Sequence, residues 1–499
     1  MLRCVRMTRP RVVIIGGGLA GLSTGCYALQ NGWDALIVEH NQALGGVCTA
    51  WRRGEYVVDG CIHWLTGGAF ADIYRELHIV PPVETRTLDS FCTYHDVPTG
   101  TRIVVGRDLD RLAHDLRTLA PRSASAIGAL VEGARAFAEI HPPIGLPAEL
   151  ATMRTRLQAL WELRHQLGTM ISFRHDVATW SAEHLHDDRV RGLLRRLAPD
   201  DAPMFVVLMI LGYLERGWLS RPVGGTAAFR DALIARYRAL GGEVRLSTTV
   251  DEIVVAGDHA RGVRLVDGTL VDGALVVSTA STPETVLRLL AGRYGADEVH
   301  ARLASWKLFE PIAQVTYGVA APLADVPASL ILDRVAPIDV GGVANDYLYL
   351  RTFDADTGFA PAGHAVVQAL LRTDFEWWSA RGDGYQAAKA ELGERVRVAL
   401  AEHLPALREG VPMTDVATPL TYWRGARAWR GAYEGWQPTA RAFLGHVDKE
   451  LPGLHDFFMA GQWVEPGGGV PAALMSGRQV VQIMCERTGR PFAPVGRGT

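Results

Sequence analysis

Residues 11–39 leave this chain few ways to begin folding. Arg11-Val12-Val13-Ile14-Ile15, mostly β-branched, runs directly into Gly16-Gly17-Gly18-Leu19-Ala20-Gly21, the spacing G-x-G-x-x-G. An apolar stretch to Leu29 follows, then Asn31-Gly32 as a helix stop, then Asp34-Ala35-Leu36-Ile37-Val38-Glu39. The pattern predicts strand, tight turn, helix and strand, closing on an acid 18 residues past the third glycine. Gly16 permits the turn, Gly18 lets backbone approach a pyrophosphate, and Gly21 lets helix and sheet pack closely. The unpaired N–H groups and positive dipole end of the helix suit phosphate. Glu39 suits the hydroxyls of an unphosphorylated ribose. This is a dinucleotide site.

A second glycine-rich segment, near the other end, narrows the choice. Phe457-Phe458-Met459-Ala460-Gly461-Gln462-Trp463-Val464-Glu465-Pro466-Gly467-Gly468-Gly469-Val470-Pro471 reads as a strand ending at Gly461, a glycine loop and a helix from near Val470. Proline is tolerated in that first turn. Leu44-Gly45-Gly46 and Asp59-Gly60-Cys61-Ile62-His63-Trp64 add two further conspicuous segments. An NAD domain has no use for these additions, whereas the ribityl chain and ring of FAD extend beyond the pyrophosphate. A helix end aimed at the ring's pyrimidine edge would stabilise charge on reduced flavin. FAD is the expected cofactor.

These residues resemble the phytoene-desaturase-like flavoproteins, a group of carotenoid desaturases, carotenoid isomerases and retinol saturases within the amine-oxidase and Rab-escort-protein superfold. The likeness rests on the fingerprint, Gly45-Gly46-Val47-Cys48-Thr49-Ala50-Trp51, the Asp59–Trp64 block and the C-terminal glycines. It extends to Gly212–Gly225, Thr248-Thr249-Val250, Ser278-Thr279-Ala280-Ser281 and Thr418–Trp436. It implies that FAD contacts Gly16, Gly18, Leu19, Ala20, Gly21, Glu39 and His40, then Gly45, Gly46, Gly60, Cys61, Ile62 and His63. Val250, Ala280, Gly461, Gln462, Gly469, Val470 and Ala473 complete the expected set. Two positions depart from the family's pattern. Gln462 stands where many members have Asp, and Val47 where carotenoid desaturases often have Arg.

The resemblance implies hydride transfer between flavin N5 and carbon, with desaturation, saturation and isomerisation of a hydrophobic polyene all open. An amine-oxidase-like activity and a non-catalytic prenyl- or lipid-binding role are the alternatives. His63 is the candidate proton relay, or it orders its loop. Glu465 is a candidate proton donor or acceptor, or a loop cap. Trp429, Tyr433 and Trp436 are candidates for an aromatic substrate wall, or are core. With one nucleotide fingerprint, no separate NAD(P)H domain is expected.

A chain of 499 residues suits two or three domains. The expected fold is α/β, with a discontinuous Rossmann-like FAD domain (8–80, 220–295 and 450–490). A mixed-sheet substrate domain (81–107 and 300–445) and a helical cap (108–219) complete it. Basic and acidic residues number 51 and 54, which gives no sign of a nucleic-acid partner. Cysteines 4, 26, 48, 61, 92 and 485 form no C-x-x-C and no metal-ligand cluster, so neither disulfides nor a metal are expected. The basic leader 1–11 lacks the apolar region of a signal peptide, and a cytoplasmic location is expected. The apolar run Met204–Leu214 is too short to span a membrane. It reads as a buried helix. Met153–Ile171 reads as a basic amphipathic helix, with Arg154, Arg156, Arg164 and His165 as its charges. It lies either on a membrane surface, as in a peripheral protein, or against neighbouring helices.

Overall fold

The structure, a computed structural model, describes residues 9–140, 145–162, 164, 167–354, 357–409 and 411–495. His165 and most of the basic leader lie outside them.

The predicted strand–helix–strand unit forms as β1 (Arg11–Ile15), α1 (Leu19–Gln30) and β2 (Asp34–Val38). Later segments complete a five-stranded parallel sheet: β3 (Glu243–Arg245), which follows helix α2 (Gly225–Ala239), then β4 (Leu275–Ser278) and β5 (Phe457–Met459). Helix α3 (Gly469–Arg487) closes the unit, and the strand order is β3-β2-β1-β4-β5.

Alternation along the strands sorts side chains between two faces, as the period of two requires. Val12, Ile14 and Ile37 pack with α1 and α3, while Val13, Ile15 and Leu36 face a three-stranded antiparallel sheet. That small sheet is built from 250–256, 259–265 and 270–272. The sequence reads as three successive β-rich runs, Glu243–Thr248, Thr249–Val255 and Ala260–Val266. The first instead joins the parallel sheet as its edge strand, beside β2. Helices α1 and α3 pack closely because Gly477 is a glycine. A Cβ there would lie 2.7 Å from Thr24 N, and Ser23 Oγ donates to Leu474 O across the contact (2.7 Å).

The second large sheet has seven strands, in the order 413–417, 312–319, 365–372, 344–354, 329–339, 90–96 and 101–106. Only the pairing of 329–339 with 90–96 is parallel. One core cluster combines residues of this sheet's 90–106 edge with helices between 109 and 215. The apolar run folds as the helix Phe205–Glu215. Met153–Ile171 divides into two short helices, Met153–Glu162 and Leu167–Ser172, and leaves Met153, Leu157, Trp161, Met170 and Ile171 exposed. No helix among the described residues is long and apolar enough to cross a membrane.

Candidate active site

A cavity of about 1560 Å³ runs from the glycine turn after β1 to the helices between 124 and 215. It exceeds the roughly 300–1,000 Å³ of a typical single-ligand pocket, leaving room for a dinucleotide and a substrate together. Every expected FAD contact except Gly21 lies on its wall.

Gly21 acts from behind that wall. A Cβ on it would stand 2.0 Å from Gly16 O, so only glycine allows α1 to start against the turn. Gly16 itself holds φ +98°, and a Cβ on Gly18 would make only ordinary contact, with Gly46 Cα nearest at 3.8 Å. Neither α1 nor α3 has a side-chain cap at its N-terminus. Their first N–H groups are therefore left for a ligand. The Glu39 carboxylate accepts from Gly17 N–H (2.7 Å) and Asn41 N–H (2.8 Å) and meets His40 Nδ1 at 2.9 Å. Burial opposes the charged form, but these donors outweigh it and hold the carboxyl below its usual range. Glu39 is thus fixed and anionic beside the cavity. Two uncapped helix ends and a fixed anion just past the end of β2 fit FAD.

Under the middle of the cavity lies a buried polar network. Asp59 accepts from Thr226 N–H (2.9 Å) and Thr226 Oγ1 (2.7 Å), and Arg351 Nη1 stands 3.8 Å from the same carboxylate. Arg351 also donates to Ile62 O (2.9 Å), and Arg221 donates to His63 O (3.0 Å). These bonds fix the Gly60–His63 segment. The His63 ring stacks on Tyr349, with centroids 5.7 Å apart and planes at 14°. Burial, then the charges of Arg351 and Arg221, push its imidazole well below the usual histidine range. His63 is neutral at neutral pH.

Glu465 reaches the cavity wall, but its carboxylate is bound to Lys449 Nζ at 2.7 Å. Lys449 is fully buried and also lies 3.7 Å from Glu149. Burial opposes the Glu149 charge, yet His446 and Lys449 hold that carboxyl at about 2. Glu149, His446 and Asp448 bring ligand atoms within 4.8 Å of one another, and the lysine already supplies positive charge there.

The three aromatics separate. Tyr433 lines the cavity. Trp436 is fully buried, donates to Trp463 O (3.1 Å) and packs between Trp306 and Trp463. Trp429 packs against Trp423 and the edge of that cluster, and neither tryptophan is part of the cavity wall.

Sequence reasoning missed Glu434. It lies on the cavity wall against the start of α3, where a Cβ on Gly468 would come within 2.5 Å of Glu434 O. Burial raises its carboxyl to about 7. Gln462 Nε2 donates to Tyr433 O and ties this segment to the C-terminal loop. The only sequence signal was an acid beside Tyr433 among aromatics and glycines.

Beyond the polar network the wall turns apolar. Phe205, Val206, Met209 and Ile210 share one face of their helix and meet Phe137 and Phe309 around the chamber. The outer rim carries Lys307, which pairs with Asp201.

Residues 19–485 match the model of the family described as flavin containing amine oxidoreductase. The chain is 26% identical to a neurosporene-forming phytoene desaturase of Rhodobacter capsulatus, covering 95% of this chain and 94% of that one. It is 24% identical to an all-trans-zeta-carotene desaturase of Myxococcus xanthus, covering 97% and 94%. An oxidoreductase from Methanosarcina mazei has a similar solved structure, with TM-score 0.61 and 18% identity over 95% of this chain and all of that one.

Proposed function

Because the chain belongs to the flavin containing amine oxidoreductase family, with FAD as its cofactor, we propose that it acts on carbon–carbon double bonds of a hydrophobic, polyene-like substrate. The observation that carries this reading is the continuous cavity, which joins the nucleotide slot to an apolar chamber walled by the cap helix 205–215. The carotenoid-acting relatives support it. When bound, FAD supplies a hydride donor or acceptor.

The protein's own groups do the rest. The neutral His63, stacked on Tyr349, shapes the wall beside the reacting carbons without adding a charge to it. Glu434 takes or gives the proton, since a carboxyl near pH 7 changes state at low cost at working pH. Glu465 is committed to Lys449 and holds the C-terminal loop. Apolar side chains from the cap exclude water from the chamber. Exposed Met153, Leu157 and Trp161, with Arg154, Arg156 and Arg164 alongside, give the cap a face for collecting substrate at an anionic lipid surface.

Anaerobic mixing of the FAD-loaded protein with conjugated isoprenoid polyenes, and separately with primary and secondary amines, tests the reading. A polyene response with no flavin bleaching by amines supports it. The reverse pattern identifies an amine oxidase.

A further inference from the structure

Cys48 and Cys61 are 13 positions apart and belong to no cysteine motif. The hairpin of Ala50–Arg53 and Tyr56–Asp59 nevertheless brings them together. Ala50 pairs with Asp59, and Gly60 N–H donates to Thr49 O (3.0 Å). The paired register ends at Ala50 and Asp59, and Cys48 and Cys61 each lie one residue beyond the Thr49–Gly60 bond. Were the antiparallel register continued to that position, it would be a non-hydrogen-bonded one, with Cα atoms about 4.5 Å apart. That separation falls within the roughly 4.4–6.8 Å a disulfide spans. Both thiols are free, and both residues lie on the cavity wall among the FAD contacts. Nothing in the proton chemistry above uses them.

We propose that Cys48 and Cys61 form a redox-active dithiol that exchanges an electron pair with the FAD bound in this cavity. As the pair oxidises, two Sγ–H bonds break and one Sγ–Sγ bond forms. Two electrons and one proton pass to oxidised isoalloxazine, and the second proton leaves to solvent. A low-molecular-weight thiol restores the pair by exchange, and two of its molecules leave joined as a disulfide. The neighbouring Cys61 thiol, with burial, pushes the Cys48 thiol up and keeps it protonated. Cys61, half-buried at the wall, is the sulfur that meets the incoming reagent. Such a pair supplies electrons to a protein whose sequence carries a single nucleotide fingerprint. The inference rests on the FAD assignment and is independent of the polyene.

The test uses the purified yellow protein. After oxidation with diamide, digestion under alkylating conditions should yield a peptide cross-linked through Cys48 and Cys61. Anaerobic dithionite titration of the same sample should then consume four electrons per bound flavin, two for the ring and two for the disulfide. Cys48→Ser and Cys61→Ser, normalised to bound flavin, should each consume two. A wild type that takes up only two electrons after oxidation, or that shows both cysteines alkylated, overturns the proposal. If the variants lose flavin, the wild-type peptide map and electron count decide alone. Failure of the FAD assignment would show earlier and separately, as a wild type that neither carries nor takes up flavin.

Discussion

Alanine at Gly18 and alanine at Gly21 each add one methyl group, three residues apart, in opposite surroundings. At Gly21 the new Cβ would stand 2.0 Å from Gly16 O, inside the protein. Relief requires α1 to move by about an ångström or more, and overpacking of this kind costs about 1–3 kcal/mol. At Gly18 the backbone is extended (φ −73°, ψ −176°) and the nearest protein atom is 3.8 Å away. Alanine fits there, and Gly→Ala at a compatible position stabilises by about 0.4–1 kcal/mol. Its methyl, however, occupies the approach of the pyrophosphate to the N-terminus of α1. Losing one charge-assisted hydrogen bond, about 1.5–3 kcal/mol, weakens FAD binding by roughly tenfold to over a hundredfold. Thermal melts of the apoprotein, paired with FAD titration by flavin fluorescence, separate the two effects. Gly21→Ala should lower the apoprotein Tm, whereas Gly18→Ala should leave that Tm unchanged or raised and lose FAD affinity. Wild-type FAD affinity in Gly18→Ala, or a wild-type apoprotein melt in Gly21→Ala, would refute the assignment of these glycines.

Glu39→Ala should lower FAD occupancy and also strand the Gly17 and Asn41 N–H donors, at about 1–3 kcal/mol each; Glu39→Gln, which keeps an acceptor, should lose less stability, as melts and flavin content will report. Glu434 has its carboxyl raised to about 7, so the stability linked to its protonation is full below the ordinary carboxyl range and lost as pH rises through about 7. Melts of the apoprotein at roughly pH 5 and pH 8 should differ less in Glu434→Gln than in wild type, and the activity profile should lose its limb near neutrality; equal pH dependence in the two proteins would remove Glu434 from the chemistry. Lys449→Met leaves Glu149 and Glu465 without their buried cation and should cost about 3–5 kcal/mol in denaturant unfolding, while a loss under 1 kcal/mol would mean water already solvates that cluster.

The parts of the site that were legible in the sequence are those held by local backbone geometry. From β1 to β2 the chain needs a turn, a helix start and a close approach, and each leaves a glycine or an acid at a fixed offset. The start of α3 was legible for the same reason. What escaped depends on which distant segments meet. Tyr433 and Trp436 lie in one aromatic-rich stretch, yet only the tyrosine meets the cavity, because Trp306 and Trp463 enclose Trp436. Glu434 and Glu465 look alike as isolated acids. Lys449 pairs with Glu465, while burial raises Glu434. The edge strand β3 was legible as a β-rich run, but its place in the parallel sheet was set by pairing with β2.

Flavin-dependent chemistry on a polyene in this cavity is read out by the mass and spectrum of the polyene after one anaerobic turnover, with the flavin spectrum followed in the same sample. One of three results is expected: loss of two hydrogens as the flavin is reduced, gain of two as pre-reduced flavin is oxidised, or unchanged mass with a shifted polyene spectrum. A polyene recovered with its mass and spectrum intact, beside a flavin that amines reduce, would contradict the polyene chemistry.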